Sequence, residues 1–332
     1  MAEIGRAPTV YGPVPSWRLG RSLGVDPLPP PKTCTFDCIY CQLGRTARKV
    51  SIKNWRVVGV TVGMVVEDLR KALERLGPKG LDYITFSGMG EPTLNPKLGE
   101  MIAEAKKLAA GIPVAVLTNS SLLSVEDVRM NLVDADLVVA KLDAPTEALF
   151  KEINRPSKGI TLKSITDGIK KLREEMKGAL ALQIMFLHSK DGRQLNSTTE
   201  AVEGLIRLAE SIMPDEIQVN TPTRPPSEAY VEPLTPEEIN EIAARFTDAV
   251  DAEVISVYQE RMRKWVKKPP KALEEEAVKL IRRRPCRPSD VSKALGITEE
   301  EAQKILKKLL KSGLATTKHF HGETYYTTKT HP

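Results

Sequence analysis

The chain has 332 residues, of which 41% are hydrophobic and 28% charged, a composition typical of a globular protein with one large and one small domain. No apolar stretch approaches the roughly 20 residues of a membrane span, and residues 1–10 lack the pattern of a secretory signal. Membrane and secreted classes are therefore excluded, and a cytoplasmic protein is expected. Residues 259–332 carry 18 Lys and Arg against 9 Asp and Glu, whereas the rest carries 31 against 34. The basic surplus thus belongs to the C-terminal quarter.

From residue 20 to about residue 258, short β-rich runs alternate with amphipathic segments. This alternation predicts βα units around a parallel sheet. Six units fit an open partial barrel, and a doubly wound sheet fits the same periodicity. In both folds the ligand site lies at the carboxyl ends of the strands. The predicted strands are 20–25, 82–86, 114–117, 137–142, 179–187 and 216–220, and the predicted helices are 65–76, 97–108, 162–176, 198–211 and 236–250.

Three of the four cysteines follow the first predicted strand with the spacing C-x3-C-x2-C: Cys34, Cys38 and Cys41. Thiolates are the ligands that zinc and iron–sulfur sites prefer. A structural zinc site needs a fourth Cys or His at a definite spacing, and the histidine nearest in sequence is His188. The trio therefore favours a four-iron cluster with one iron open to an exogenous ligand, over three incidental buried cysteines. We expect the isolated Cys286 to be a small buried thiol.

Polar and glycine residues follow the other predicted strands, where a ligand site would lie. The run Ser87-Gly88-Met89-Gly90-Glu91-Pro92 comes after the second strand, Asn119 and Ser120 end the third, and Asp143 ends the fourth. For each of these residues, a turn or helix cap is the structural alternative to ligand binding. Gln183 and Asn220, on the fifth and sixth strands, either face the barrel mouth or make hydrogen bonds within the core.

Together these motifs resemble the radical S-adenosylmethionine (SAM) superfamily, whose hallmark is C-x3-C-x-aromatic-C, with Tyr40 as the aromatic residue here. The family's GGE-type turn, which binds the methionine part of SAM, is matched at Gly90 and Glu91, while Met89 stands in place of the first glycine. The resemblance implies a partial (β/α)6 barrel, a 4Fe–4S cluster on the three cysteines, and SAM on the open iron. The residues that it implies for SAM binding are Tyr40, Gly88, Gly90, Glu91, Asn119, Ser120, Lys141 and Asp143.

The resemblance also implies the first chemical step. One electron from the reduced cluster cleaves SAM to methionine and a 5′-deoxyadenosyl radical, which abstracts a hydrogen atom from the substrate. A flavodoxin-like or ferredoxin-like protein would supply that electron. The sequence further resembles a branch related to the archaeal wyosine-type tRNA enzymes, although those enzymes carry additional N-terminal cysteines and this chain has none before Cys34. The segments that carry this narrower resemblance are GPVPSWRLGRSLG from Gly12, CQLGRT from Cys41, INRP from Ile153 and NTPTRPP from Asn220.

The pattern of βα units ends at a basic, proline-bearing linker, 263–272, which separates a barrel domain over 1–262 from a C-terminal domain over 273–332. Helices are predicted at 273–284, 289–295 and 299–311, with Gly296 ending the second and Thr298 starting the third. The alternating segment 314–328 predicts a hairpin around His321-Gly322. Three helices and a hairpin resemble a winged helix-turn-helix domain.

Lysines of this C-terminal domain predict a nucleic-acid surface, with protein contact or dimerisation as the alternative. An RNA substrate, tRNA in particular, is the interpretation we favour. Two other functions remain open: a glycyl-radical activase, which uses the same cysteine trio, and a non-enzymatic iron–sulfur regulator that binds DNA. The candidate phosphate contacts are Lys304, Lys307, Lys308, Lys311 and Lys318.

Overall fold

The computed structural model of the chain describes residues 8–77, 80–109, 111–259 and 273–328; the predicted linker 263–272 lies outside them. The strands are β1 (Val10–Ser16), β2 (Gly20–Val25), β3 (Thr33–Cys34), β4 (Arg48–Lys49), β5 (Tyr83–Phe86), β6 (Val114–Thr118), β7 (Leu137–Lys141), β8 (Ala179–Met185), β9 (His188–Ser189), β10 (Glu216–Asn220), β11 (Val231–Glu232), β12 (Glu253–Ser256), β13 (Thr316–Phe320) and β14 (Glu323–Thr327). The helices are α1 (Val62–Leu76), α2 (Leu98–Leu108), α3 (Glu126–Met130), α4 (Glu147–Asn154), α5 (Leu162–Glu175), α6 (Thr199–Ile212), α7 (Pro236–Ala249), α8 (Leu273–Arg283), α9 (Pro288–Leu295) and α10 (Glu299–Lys311).

The main sheet has eight strands in the order β1-β2-β5-β6-β7-β8-β10-β12 and curls into a half-barrel. β1 runs antiparallel to β2, and the other neighbours are parallel. The predicted α/β half-barrel is therefore confirmed, and all six predicted strands are present. The count of six was too low, because β1 and β12 also join the sheet. β1 was not predicted because it contains Pro13 and Pro15, which only an edge strand tolerates, and β12 was not predicted because it is only four residues long.

Strand residues alternate between two environments, as the period of two requires. One face packs against the helices in a large apolar core that includes Leu23, Ile84 and Val116. The other face lines the lumen, where a small apolar cluster around Ala115 and Val139 is accompanied by polar groups. Among these, the Ser22 and Thr85 hydroxyls, Gln183 and Gln218 form hydrogen-bonded pairs. The lumen is thus a partly polar space enclosed by the sheet.

Side chains at the helix ends explain where the helices begin. Thr161 and Thr235 each accept a hydrogen bond from the backbone of the first turn, and each forms a reciprocal capping box with the residue three positions on. Thr298 caps α10 in the same way, and Gly296 ends α9 in a left-handed conformation, as predicted. Within the described ranges, no helix is long and apolar enough to cross a membrane.

The C-terminal segment folds as α8, α9, α10 and a hairpin of β13 and β14, and it has its own apolar core. His321 and Gly322 both have positive φ at the tip of the hairpin, as the predicted turn requires. Cys286 is 1% exposed in this core, and its backbone pairs with Tyr326 of β14. The predicted helices, hairpin and buried thiol are therefore present. The winged-helix assignment itself stays a prediction.

This C-terminal unit packs directly on the half-barrel. Val14 of β1 contacts its core, and Arg283 at the end of α8 pairs with the carboxylate of Asp26, which lies one residue after β2. Arg283 also donates to the Pro8 carbonyl at 2.9 Å and lies over the ring of Tyr11. Because the Asp26 side chain is 1% exposed, this ion pair is a buried one and ties the two parts together.

The first prediction concerns this ion pair. We expect Arg283→Met to lower the free energy of unfolding by about 3–5 kcal/mol, since it leaves the Asp26 charge buried and unpaired. Restoring stability in the double variant Asp26→Asn/Arg283→Met would identify that charge as the cause. Arg75→Met is the matched control: Arg75 is itself partly exposed, and the buried Glu276 carboxylate that it contacts stays paired with Lys279 at 2.8 Å. Equal losses for the two arginines in urea denaturation would contradict the prediction.

Candidate active site

The three clustered cysteines lie on the loop that follows β2, at the carboxyl end of the sheet. Cys34 ends β3, and its carbonyl accepts a hydrogen bond from the Val50 backbone. The loop is also fixed by the end of α4, because Ile39 N donates to the Ile153 carbonyl at 2.9 Å. The backbone of the loop is thus held from both ends by protein contacts.

Each cysteine sulfur accepts a hydrogen bond from a different side chain. Two donors, Asn119 and Asn154, are distant in sequence from the cysteines, and the third, Lys32, is buried. Amide N–H and ammonium groups stabilise negative charge on sulfur, as donors around metal-bound thiolates do. The pairs are Asn119 Nδ2 to Cys34 Sγ at 3.4 Å, Asn154 Nδ2 to Cys38 Sγ at 3.5 Å, and Lys32 Nζ to Cys41 Sγ at 3.2 Å. This arrangement favours a thiolate at every position of the trio.

Burial disfavours those thiolates while the sulfurs carry no metal. It raises the pKa of Cys34 to about 12, with the charge of Glu91 as the next cause, and the pKa of Cys38 to about 11, with Cys41 as the next cause. Lys32 responds in the opposite direction: burial lowers its pKa, but the charges of Cys41, Cys34 and Cys38 outweigh burial and raise it overall. A cluster that binds here would have to displace the thiol protons, and the charge of its iron would replace theirs.

The donor set fits an iron–sulfur cluster better than a single ion. Within the described residues, no group of three Cys, His, Asp or Glu side chains is spaced to hold one metal ion. Each thiolate of a four-iron cluster binds a different iron, so its sulfurs stand further apart than ligands around one ion. The chain offers three such sulfurs here, since Cys286 lies in the C-terminal core. One iron would remain open to an exogenous ligand.

The loop after β5, which contains Gly88, Gly90 and Glu91, packs against the cysteine strand. Gly90 has φ +141°, and a Cβ at this position would lie 1.6 Å from the carbonyl oxygen of Thr33. Thr33 N in turn donates to Met89 O, and Glu91 N donates to Thr33 O. The glycine is therefore required for contact with β3, whereas the resemblance implied a contact of Gly90 with SAM. Ligand contact by Gly88 and Gly90 stays a prediction.

Glu91 is 2% exposed and makes four hydrogen bonds within the protein. Its carboxylate accepts from Thr93 N, Thr93 Oγ1 and Thr118 Oγ1, and from Asn119 N at 2.7 Å. Burial raises its pKa, and these hydrogen bonds oppose the rise. In this structure Glu91 holds the end of β6, where Asn119 donates to Cys34. A contact with SAM would need one of these oxygens to accept a further hydrogen bond.

Ser120 follows Asn119 in a strained backbone conformation. Its φ is +68°, and its fully buried hydroxyl has no hydrogen-bond partner among the described residues. Positive φ is uncommon for a residue with a Cβ, and an unsatisfied buried hydroxyl costs free energy. Both features are typical of a residue whose partner is a ligand.

Tyr40, Asp143 and Asn154 form a buried network beside Cys38. The Tyr40 hydroxyl and Asn154 Nδ2 both donate to Asp143 Oδ2, and the other carboxylate oxygen accepts from Met185 N. Burial and the charge of Asp143 raise the pKa of Tyr40 well above its ordinary value. Lys141 Nζ lies 3.6 Å from Asp143 and over the ring of Tyr40. The structure thus brings Tyr40, Lys141 and Asp143 together at the cysteine loop.

Two residues of this site were missed by the sequence analysis. Asn154 lies in the INRP segment that supports the narrower resemblance, and that segment was the one available signal for it. Lys32 precedes Cys34 by two residues and had none, because a lysine in a loop is ordinarily exposed. Gln183, in contrast, makes a hydrogen bond within the protein, which was the alternative to facing the barrel mouth. Its Nε2 donates to Gln218 Oε1 at 3.1 Å in the lumen. Asn220 does likewise, since its Oδ1 accepts from Thr221 N.

The candidate nucleic-acid lysines lie outside this site, on α10 and β13. Lys304 and Lys308 are ion-paired with Glu300 and Glu274, at 3.2 and 2.6 Å. Lys307 and Lys311 are exposed and have no ion pair with a described residue, and Lys318 is half-buried on β13. The predicted basic face is therefore partly neutralised.

A curled α/β sheet with three hydrogen-bonded cysteines at its carboxyl edge is the arrangement of a half-barrel protein with a candidate iron–sulfur site. The model of the radical SAM superfamily matches residues 28–201, which include the cysteine loop and strands β5 to β8. A UPF0026 protein of Methanocaldococcus jannaschii is 37% identical over 251 residues, which are 74% of each chain. The chain belongs to the radical SAM superfamily, whose members are enzymes; the family implies SAM and a 4Fe–4S cluster.

Two further proteins are similar to this chain, but their similarity does not identify its reaction. The crystal structure of a radical SAM methyltransferase from Sphaerobacter thermophilus shares the fold, with a TM-score of 0.53 at 17% identity over 73% of this chain and 67% of that one. A protein of Brachyspira hyodysenteriae named GTPase Obg is 35% identical over 321 residues, 96% of this chain. The chain spans 45% of that protein's length.

The second prediction tests the contact between Gly90 and the cysteine strand. Gly90→Ala is expected to prevent cluster assembly, because the added Cβ displaces Thr33 and with it Cys34. The measurement is iron and sulfide per chain after anaerobic reconstitution. Gly192→Ala is the matched control: Gly192 also has a positive φ, +83°, but no atom lies within 4 Å of its added Cβ. Full cluster content in Gly90→Ala would contradict the prediction.

Proposed function

We propose that this chain binds a 4Fe–4S cluster through Cys34, Cys38 and Cys41 and uses SAM to abstract a hydrogen atom from a substrate held in the half-barrel. The observation that carries the proposal is the set of three cysteine sulfurs, each with its own hydrogen-bond donor, at the carboxyl edge of the sheet. When bound, the reduced cluster supplies the electron that cleaves SAM. A flavodoxin-like or ferredoxin-like protein is the proposed source of that electron.

The residues of the chain have distinct parts in this proposal. The three cysteines hold the cluster, while Asn119, Asn154 and Lys32 orient the sulfurs and stabilise their charge. Ser120, with its unpartnered hydroxyl, is a proposed donor to SAM. Gly90 keeps the neighbouring loop against β3, Gly88 lets that loop pass the Asp26 carboxylate, and the sheet and C-terminal unit enclose the lumen.

The network of Tyr40, Asp143 and Lys141 is the second proposed contact with SAM. It presents an aromatic ring, a carboxylate and an ammonium group beside Cys38. A carboxylate suits the amino group or ribose hydroxyls of SAM, and an ammonium group suits its carboxylate. Glu91 acts in this proposal through Asn119, as a positioning residue.

The third prediction tests the cysteine assignment. Cys38→Ala is expected to lose the cluster and to form no 5′-deoxyadenosine from SAM under reducing, anaerobic conditions, since the site has no ligand to spare. Cys286→Ala is the control, because it removes the remaining cysteine from the C-terminal core and is expected to keep both properties. A Cys38→Ala protein that still cleaves SAM would contradict the proposal.

An RNA substrate, as in the wyosine-type branch, is a second candidate that one observation favours. Lys307 and Lys311 are exposed on α10 without an acidic partner in the described part of the chain. A winged-helix role for the C-terminal unit would use this surface. Superfamily membership favours an enzyme over a non-enzymatic DNA-binding regulator, and an activase would require a partner protein in place of RNA.

The fourth prediction tests this surface. If RNA binds there, the double variant Lys307→Gln/Lys311→Gln should weaken tRNA binding and reduce the salt slope of log K by about 1.5, because two phosphate contacts are lost. The charge-matched control is Lys71→Gln/Lys163→Gln on the barrel helices α1 and α5. Equal losses in both double variants, or tighter binding to duplex DNA than to tRNA, would argue against an RNA substrate.

A further inference from the structure

A cavity of about 170 Å³ opens inside the half-barrel, between the sheet and the C-terminal unit. Ser22, Thr85 and Leu117 contribute its strand wall. Gln42 and Leu43, which directly follow Cys41, line it as well, and so does Arg284, immediately after α8. The cavity therefore reaches from the cysteine loop to the end of α8.

Two arginines from separate parts of the chain, Arg18 and Arg284, line this cavity, and the charge of a third, Arg224, acts on both of them. Arg18 lies in the turn between β1 and β2, Arg224 follows β10, and Arg284 follows α8; Arg18 and Arg284 line the cavity. In all three the Nε atom is buried and has no hydrogen-bond partner among the described residues. Buried guanidinium N–H groups are costly when unsatisfied, so three together need an explanation.

The three charges oppose one another. Burial lowers the pKa of Arg18 to about 10, and the charges of Arg224 and Arg284 add to the effect. Burial and the charge of Arg284 likewise lower the pKa of Arg224. Two carboxylates face the group: Glu216 acts on Arg18, and Asp290 lies 3.6 Å from Arg224. Asp290 is shared with Arg287 at 3.3 Å, so positive charge is in excess.

Arg283, the residue before Arg284, is an example of an arginine with a structural role. Arg283 is adjacent to Arg284, yet its guanidinium is paired with Asp26 and bonded to the Pro8 carbonyl. No such pair is present for Arg284 within the described residues. The ion pair with Asp26 thus accounts for Arg283. Arg18 and Arg284, in contrast, have no ion pair among the described residues, and Arg224 shares Asp290 with Arg287.

We propose that Arg18, Arg224 and Arg284 form a binding site for a phosphate group of the substrate. Arginine forks match the geometry of phosphate oxygens, and a dianion would neutralise the excess charge. With the phosphate held there, the rest of the substrate extends through the cavity toward Gln42 and the cysteine loop. The assignment rests on the proposed function and names the chemical class of its substrate, a small phosphate ester.

The enclosure favours a small molecule over a polynucleotide. The walls are formed by the sheet, by the residues after Cys41 and by the end of α8, and they enclose only about 170 Å³. The exposed lysines of α10, by contrast, belong to the outer surface. An RNA could reach the arginines only by inserting a terminal nucleotide between the two parts of the protein.

The test measures the thermal stability of the reconstituted full chain against inorganic phosphate, with sodium chloride holding the ionic strength constant. A ligand that binds the folded state raises Tm with its concentration. Phosphate should stabilise the unchanged protein and Lys307→Gln, whereas Arg18→Gln and Arg284→Gln should bind it about tenfold more weakly or worse. Without phosphate, the Arg284→Gln protein should melt higher than the unchanged protein, because a repelling buried charge is gone.

Three results would overturn the assignment. One is equal stabilisation of the unchanged protein and the two arginine variants by phosphate. Another is loss of SAM binding in Arg284→Gln, which would make the arginines partners of the SAM carboxylate. The third is protection by a 5′-phosphorylated RNA oligonucleotide but not by ribose 5-phosphate. Formation of 5′-deoxyadenosine, assayed on the same preparations, reports separately on the proposed function, because phosphate binding requires no radical chemistry.

Discussion

The buried carboxylate of Asp26 is the interaction on which the arrangement of the site depends. It accepts hydrogen bonds from the backbone of Leu28 and Met89, and it pairs with Arg283 of the C-terminal unit. A Cβ at Gly88 would lie 2.3 Å from its carboxyl carbon, so only glycine lets the loop after β5 pass. Burial raises the pKa of Asp26, and the charge of Arg283 is the largest opposing effect. The C-terminal unit therefore helps to keep this carboxylate ionised.

From Asp26 the constraint passes to the cysteines through one loop. Met89 N is fixed by Asp26, the neighbouring Gly90 lies against Thr33, and Thr33 precedes Cys34. On the other side, the end of α4 holds the loop through the Ile153 carbonyl and donates to Cys38 through Asn154. The positions of the sulfurs are thus set by protein contacts on both sides, which is how a protein preorganises ligands for a cluster.

Local signals in the sequence were sufficient for much of the fold. The cysteine spacing, the cap at Thr298, the left-handed Gly296 and the His321-Gly322 turn each depend on a few adjacent residues, and the structure contains all of them. Interactions between distant residues were not predictable. Glu91 looked like a ligand for SAM because it ends a glycine-rich turn, but its oxygens are bound to Thr93, Thr118 and Asn119. No spacing rule in a single sequence reports such contacts.

The charged residues of the C-terminal quarter show most clearly that contacts between distant residues were not predictable. The basic surplus of the C-terminal quarter was interpreted as an outer surface for nucleic acid, since charged residues are ordinarily solvated. In the structure, the residues of that surplus face in two different directions. Lys307 and Lys311 face outward, whereas Arg283 and Arg284 point into the half-barrel, where one meets Asp26 and the other meets Arg18 and Arg224. Two adjacent arginines at one helix end thus have different roles: Arg283 attaches the C-terminal unit to the half-barrel, and Arg284 belongs to the proposed phosphate site. Only the presence or absence of an ion-pair partner distinguishes the two roles.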